Sequence, residues 1–507
     1  MESEVVKMNY ITKADFLNTM NCTTLGWYTH NNKEKEKLTF ATENRIYIGN
    51  LVGQKARDKF INGTFISGKN VKDAVYTTAQ LLNTMPNGVF FEAAFEQDGF
   101  VARADILIKT GNKYKIIEVK SATEQDITKS GGKPYLEDLA YTCWVAQKNG
   151  LEIEHASLYF LSKEYRIGDG EDKLFAEVDG LQAVQKLLSI YDSKADFIKK
   201  TLSKPEKSEP HPIKDCKTCP MKHECYPDYE TYTVYQIPGL RLKKPLEAGI
   251  TKAEDLEYDK LNDKQKRVVD CILEDKIYID KEGIKETVAN WEYPIAYFDF
   301  ETVSPPLPVM IDTKPYERLP FQYSVHIAKD AEQPIDDYRH EEYLANPSNM
   351  PDSIMELAEC MADDLEDCQT IVAYHDSFEK GVVQWLADWT AQKGEQDLSE
   401  KLKAIKGKFV DLKVLIEKNY YNPKFKGSFS IKKTLPVLVP TLSYDDLVVG
   451  NGDEATTIFL NMILGREEEL AAKDMPLPTR EDMLAYCKLD TWAMVVLKKA
   501  LEELAEY

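Results

Sequence analysis

The sequence predicts an α/β protein of two domains joined by a short helical connector. Three observations predict it. The chain has 507 residues, too long for one domain at roughly 100–200 residues each. Each half carries strand-like and helix-like segments side by side: an alternating hairpin, FVARADILIKTGNKYKIIEVKSAT, in the first, and a compact apolar strand, IAYFDFETV, with a late helical stretch in the second. Punctuation falls in two places, the Pro/Cys-rich segment from Lys204 to Pro227 and the polar stretch before Trp291. Together these mark domains over 1–228 and 290–507, with a connector over 229–289.

Composition bounds the class. Hydrophobic residues make up 43% and charged residues 29%, so sizeable cores are available and wholesale disorder is excluded. The start, MESEVVKMNYITKADF, lacks the build of a signal peptide, and no run approaches the ~18 apolar residues of a membrane span. A cytoplasmic protein without a membrane partner is expected. In a reducing compartment nine cysteines argue for metal ligation over disulfides. The formal net charge of −21 speaks against a passive nucleic-acid coat. It does not speak against a metal-dependent nuclease, whose sites are themselves clusters of carboxylates.

The hairpin comes first. With Gly111-Asn112 as a two-residue turn, Asp105 falls opposite Glu118, and Lys120 shares their face. Opposed residues have Cβ atoms about 4.5–5.5 Å apart. Two carboxylates so close favour Mg²⁺ or Mn²⁺ between them, with the lysine placed to orient water or offset charge. The cysteines follow. Cys216, Cys219 and Cys225 lie within ten residues, and Cys22 is the best fourth ligand. The triplet alone equally suits zinc completed by His223 or His211.

The early Thr12-Lys13 segment running to Cys22 and Trp27, the Asp105…Glu118-x-Lys120 hairpin and the C-x-x-C-x5-C tail together resemble the RecB-like nucleases of the PD-(D/E)XK superfamily that carry an iron–sulfur cluster. The resemblance implies a restriction-endonuclease-like fold, Asp105 and Glu118 as metal ligands and Lys120 as catalytic lysine. It also implies a [4Fe-4S] cluster held by Cys22, Cys216, Cys219 and Cys225. Glu92, in FFEAAFEQDG, is a further candidate ligand, and Asp138 and Tyr141 fall on the helix that follows the hairpin. In the connector, IPGLRLKKPLEAGI resembles a helix-hairpin-helix element, which holds phosphate through backbone N–H groups and lysines.

In the strand IAYFDFETV, Asp299 and Glu301 are two apart and share a face. Buried acids cost several kcal/mol, on the order of 2–7, unless compensated, which points to a metal. Near the C-terminus Thr479 and Asp482 form a capping-box pattern, and Tyr486 and Asp490, four apart, share a helical face. The D-x-E strand and Y-x-x-x-D helix resemble the DnaQ-like 3′–5′ exonucleases, RNase H-like in fold, in the tyrosine variant of their DEDD signature. The middle motif of that family is matched by His375-Asp376-Ser377-Phe378-Glu379, with Glu379 in the usual place of Asp and Asp376 as the alternative ligand. Asp411 follows in a supporting position.

What the resemblance implies is hydrolysis of DNA or RNA, at single-stranded ends, by two divalent ions at Asp299, Glu301, Glu379 and Asp490, with Tyr486 positioning water. The rival expectation is a nucleic-acid-binding or redox-regulatory protein with degenerate nuclease folds. The architecture as a whole resembles a bacterial family known as a domain of unknown function. Finally, residues 401–433 hold ten lysines against Asp411 and Glu417, a local net of +8. Lys424, Lys426, Lys432 and Lys433 in this stretch, interleaved with Tyr420, Tyr421, Phe425 and Phe429, suggest a track for a single strand.

Overall fold

A computed structural model of the chain describes residues 10–32, 39–226 and 232–506. It is mixed α/β, and it divides into two compact units, Met1–His211 with Pro305–Glu317, and Pro212–Ser304 with Arg318–Tyr507. The expected boundary at residue 228 lies outside the described residues. The division differs from the expected one for a physical reason: beyond a small cluster around Val234 and Tyr235, the connector packs into the core of the second unit. Its Ile237, Ala253, Leu261, Val268 and Ile272 are buried in one cluster with Tyr297, Tyr421 and Leu497 of the second unit. Cys216, Cys219 and Cys225 go with that unit too.

The first unit opens with α1 (Lys13–Asn21), α2 (Thr23–Asn31) and α3 (Phe40–Arg57). Next come β1 (Thr64–Phe65), α4 (Val71–Thr84), β2 (Asn87–Gln97), β3 (Phe100–Thr110) and β4 (Lys113–Thr123). It continues with α5 (Lys133–Lys148), β5 (Glu152–Leu161), β6 (Phe175–Asp179) and α6 (Leu181–Leu202). The strands form one six-stranded sheet in sequential order. Gly111, at φ +59°, makes the tight turn between β3 and β4, and Ile106 pairs with Ile117 and Thr110 with Lys113. That is the register the two-residue turn dictates. α5 crosses over to bring β5 parallel to β4. Phe16 of α1, fixed by a Thr12–Asp15 capping box, packs against Phe100, Tyr141, Trp144 and Tyr191.

The second unit runs through α7 (Lys222–Cys225), α8 (Lys243–Glu247), α9 (Asp263–Leu273), β7 (Tyr278–Ile279), α10 (Lys281–Ala289), β8 (Ile295–Val303), β9 (Leu319–Ala328) and β10 (Arg339–Leu344). There follow α11 (Met350–Asp364), β11 (Thr370–Ala373), α12 (Ser377–Gln392), α13 (Gln396–Lys406), β12 (Phe409–Asp411), α14 (Leu412–Asn419) and β13 (Tyr420–Tyr421). α15 (Ile431–Leu438), α16 (Gly452–Ile463), α17 (Glu467–Ala472) and α18 (Arg480–Glu506) complete it. Its five-stranded sheet has the order β10-β9-β8-β11-β12, antiparallel from β10 to β8 and parallel from β8 to β12. β8 is central and, Asp299 apart, buried throughout, which is why its sequence is almost wholly apolar. The 27-residue α18 packs on this sheet and begins with the expected capping box, Asp482 N–H donating to Thr479 Oγ1 at 3.1 Å and Thr479 N–H to Asp482 Oδ2 at 2.8 Å. Among the described residues no helix is long and apolar enough to cross a membrane.

Candidate functional site

In the second unit the pleat of β8 sends Asp299 and Glu301 to one face, and one turn of α18 separates Tyr486 from Asp490. Asp299, Glu301 and Asp490 each offer an oxygen within 4.8 Å of the others. Glu301 and Asp490 are buried, and no ion pair within 4.0 Å offsets any of the three among the described residues. The electrostatic consequence is direct. Burial, then Asp490, push the Glu301 carboxyl up to about 8; burial, then Asp490 and Glu301, raise Asp299 well above the usual carboxylate range. Asp490 is also raised by burial, although hydrogen bonds from Tyr444 and Tyr486 oppose it. Lys432 lowers Glu301 and Asp490 from beyond ion-pair distance, but all three carboxyls stay raised, and three such hard oxygen donors fit Mg²⁺ or Mn²⁺.

Tyr486 is buried beside Asp490 as its spacing indicates. Tyr444 is a member that spacing does not reveal: its hydroxyl donates to Asp490 Oδ1 at 2.5 Å. It comes from the irregular chain between α15 and α16, 46 residues away, so only the fold brings it in. Cys487 adds a weak contact, its Sγ 3.7 Å from Asp299 Oδ2.

Glu379 lies on the first turn of α12, 2% exposed, and its Oε2 has no hydrogen-bond partner. Burial, followed by Asp376 and Asp411, pushes its carboxyl up to about 8. It adds to the charge felt by Asp299 but stands outside the group of three mutually close carboxylates. Asp376 is engaged elsewhere, in an ion pair with Lys380. The strained His375, at φ +81°, turns the chain from β11 into α12, and Asp411 holds it by accepting its N–H at 3.1 Å. Asp411 also caps α14 through Val414 N–H, so its role is supporting.

The expected single-strand track needs correction. Tyr420, Tyr421, Phe425 and Phe429 are buried at 0–6% exposure and pack on one another in the core of this unit. Their rings are unavailable for stacking bases. The lysines separate as well: Lys424 and Lys433 are exposed, Lys426 lies over the Tyr232 ring at 4.3 Å, and Lys432 turns toward Tyr444 and Tyr486. The apolar members of the run obey burial, and only part of its charge faces solvent.

In the first unit the hairpin register carries Asp105 toward Glu118, with Val119 N–H donating to Asp105 Oδ2 at 2.7 Å. Glu118 is 3% exposed and surrounded by cations. Lys13 Nζ stands 2.5 Å and Lys120 Nζ 3.0 Å from its Oε1, and Lys120 also reaches Asp138 Oδ2 at 2.5 Å. Burial opposes ionisation of Glu118, but Lys120 and Lys13 outweigh it and hold the carboxyl down at about 2. Burial, then the Glu118 charge, push Asp105 up to about 7. Glu92, at φ +58°, is raised by burial and interacts electrostatically with Glu118. Tyr141, in contrast, is a core residue whose hydroxyl donates to the Ile11 carbonyl at 3.0 Å.

Cys22 caps the junction of α1 and α2 in the first unit. In the second unit Cys216 and Cys219 accept backbone N–H groups, from Ile213 at 3.5 Å and Met221 at 3.4 Å, and Cys225 ends α7. His211 and His223 are both exposed. In the connector, Gly239 and Gly249 adopt positive φ on either side of α8, and Arg241, Lys244 and Lys260 line a cavity of about 440 Å³ there.

A family described as a domain of unknown function, DUF2779, matches residues 296–430. That span begins in β8 and takes in Asp299, Glu301 and Glu379, but ends before Tyr444, Tyr486 and Asp490. No curated protein matches the chain.

Proposed function

We propose that the protein is a metal-dependent nuclease whose second unit hydrolyses phosphodiester bonds of DNA or RNA from a single-stranded 3′ end. The observation that carries this reading is the convergence of Asp299, Glu301 and Asp490, from one strand and one helix, within 4.8 Å of one another. The sheet order, with β8 central, β9 alone antiparallel to it and β10, β11 and β12 parallel to it, is the order expected of an RNase H-like domain and supports the DnaQ-like reading. Asp299, Glu301 and Asp490 would hold divalent cations, which supply charge neutralisation and an activated water. The chain's own groups do the rest. Tyr486 and Tyr444 orient the Asp490 carboxylate. Cys487 and the apolar flanks of β8 close the site from beneath.

For the first unit, a PD-(D/E)XK reading is supported by the hairpin register and by Lys120 beside Glu118. Cys216, Cys219 and Cys225, gathered within ten residues of the second unit, suit ligation of an iron–sulfur cluster or zinc. A specific observation favours the rival reading for this unit alone. Glu118 already has two ammonium partners and is held low by them, so this carboxylate needs no metal to offset it, while Asp105 has one backbone donor and stays raised. A retained, inactive fold that binds nucleic acid would look the same.

The test is direct. Labelled single-stranded DNA and RNA are incubated with the full chain and Mg²⁺ or Mn²⁺, and Asp299→Ala and Asp105→Ala are compared with wild type. Loss of 3′-end degradation in Asp299→Ala is expected; degradation that survives both substitutions would falsify the assignment.

A further inference from the structure

Lys432 departs from the basic run that contains it. Its ammonium donates to the Gly450 carbonyl at 2.6 Å and sits 5.4 Å from the ring centroids of both Tyr444 and Tyr486. Those two phenols hold Asp490. The turn after Gly450 leads to Gly452, where a Cβ would stand 3.4 Å from both Glu301 oxygens. The ammonium is therefore bracketed by groups that touch two of the three carboxylates. Yet no carboxylate among the described residues lies within 4.0 Å of it, and one hydrogen bond uses one of its three donors. Its charge acts on Glu301 and Asp490 only at longer range, lowering both carboxyls, and two donors of the ammonium stay unspent. An anion arriving at the site would take up those donors, and beside carboxylates that gather divalent cations the fitting anion is a phosphate.

We propose that Lys432 is a catalytic residue of this site, its ammonium meeting a non-bridging oxygen of the phosphodiester being cut. The inference rests on the nuclease reading above. In the reaction the water oxygen bonds to phosphorus and the P–O3′ bond breaks. The proton lost by water reaches the 3′ oxygen through solvent. Lys432 keeps its own proton throughout and offsets the charge that gathers on the non-bridging oxygen.

The experiment uses the full chain carrying Asp105→Asn, so that the second unit is read alone. Mn²⁺ affinity is measured by calorimetry, and turnover on labelled single-stranded DNA and RNA, for Lys432, Lys432→Met and Lys432→Arg. Removing a positive charge near the carboxylates favours a dication, so Lys432→Met is expected to bind Mn²⁺ about three- to tenfold more tightly. Its turnover is expected to fall ~100-fold or more, with Lys432→Arg recovering roughly a tenth of wild type. Tighter metal with slower turnover is a split that loosened structure does not produce. Unchanged turnover in Lys432→Met overturns the proposal, as does a joint loss of Mn²⁺ binding and turnover. If the Asp105→Asn chain cuts neither substrate, the nuclease reading of the site fails and the catalytic role of Lys432 with it. Cleavage that Asp299→Ala abolishes but Lys432→Met spares overturns the role of the lysine alone.

Discussion

Glu301→Gln separates the charge of the second-unit site from its shape. Glu301 is 7% exposed, and burial with the nearby Asp490 pushes its carboxyl from 4.5 up to about 8. Below pH ~4.5 the acid is protonated in both the folded and the unfolded chain and contributes nothing to the pH dependence. As pH rises beyond that, the unfolded chain releases its proton while the folded site retains it, so stability falls. The fall ends near pH 8, where the folded site ionises too. At about 1.36 kcal/mol per pH unit the loss is roughly 3 kcal/mol at pH 7. Glutamine has the shape of the protonated acid and does not titrate. In EDTA at pH 7, Glu301→Gln is therefore expected to stabilise the second unit by about 2–3 kcal/mol, on the order of 5–10 °C in Tm. The gain should vanish near pH 4.5 and reverse when Mn²⁺ is added, since wild type gains binding energy that the variant lacks. Differential scanning calorimetry with EDTA or Mn²⁺ across this pH range makes the comparison. Equal or lower stability of the variant in EDTA at pH 7 would refute the argument, because it would mean that the three carboxylates do not strain the site.

Further outcomes follow from the same geometry. Glu379→Gln should change Mn²⁺ affinity by no more than about fivefold, against ~100-fold or more for Asp490→Asn, because Glu379 stands outside the close group; calorimetry measures both. Tyr444→Phe removes a hydrogen bond to a buried carboxylate and should cost about 1–2 kcal/mol in urea unfolding. Lys13→Met leaves Glu118 with Lys120 alone and should cost about 1–3 kcal/mol at pH 7. Glu118 is held low when folded, so its contribution is present above pH ~4.5 and fades as pH falls toward 2; in Lys13→Met that acid-induced loss should shrink. Cys219→Ser, purified anaerobically, should lose its iron and acid-labile sulfide, or its zinc, by metal analysis.

What was legible in the sequence is what depends on short spacing. A two-residue turn imposes one register, so the approach of Asp105 to Glu118 could be read from Gly111-Asn112 alone. Asp299 with Glu301, and Tyr486 with Asp490, follow from the periods of strand and helix, and an acid pair inside an apolar strand announced that something must compensate it. Residues joined only by tertiary folding were not legible. Lys13 reaches Glu118 across 105 positions and Tyr444 reaches Asp490 across 46. The connector read as independent because its Gly/Pro turns resemble a linker, whereas its apolar residues complete the core of the second unit. Alternating aromatics and lysines suggested a binding track in residues 420–433. Burial of the rings wins there, because large apolar area contributes more to folding than an exposed stacking platform would allow.

The two carboxylate sites differ in one respect that bears on their roles. In the first unit the ammoniums of Lys13 and Lys120 stand at hydrogen-bond distance from Glu118, and its carboxyl is held low. A divalent ion there must displace or share with a cation the fold already supplies. In the second unit Lys432 is held near the carboxylates but pairs with none of them, and all three carboxyls are raised. Protons or metal must supply the missing positive charge. Near neutral pH protons do so only in part, since Glu301 begins to ionise within a unit of pH 7. Occupancy by a divalent cation should therefore be coupled to proton release from three raised carboxyls at the second site, and at the first to proton release from Asp105 alone together with lysine displacement. Mn²⁺ titrations of Asp105→Asn and of Asp299→Asn in two buffers of different ionisation enthalpy distinguish these. A buffer-dependent heat is expected in both chains, larger in the Asp105→Asn chain, whose site holds three raised carboxyls, than in the Asp299→Asn chain, where Asp105 is raised beside a Glu118 held low, and the opposite order would show that the charge balance assigned to each unit is wrong.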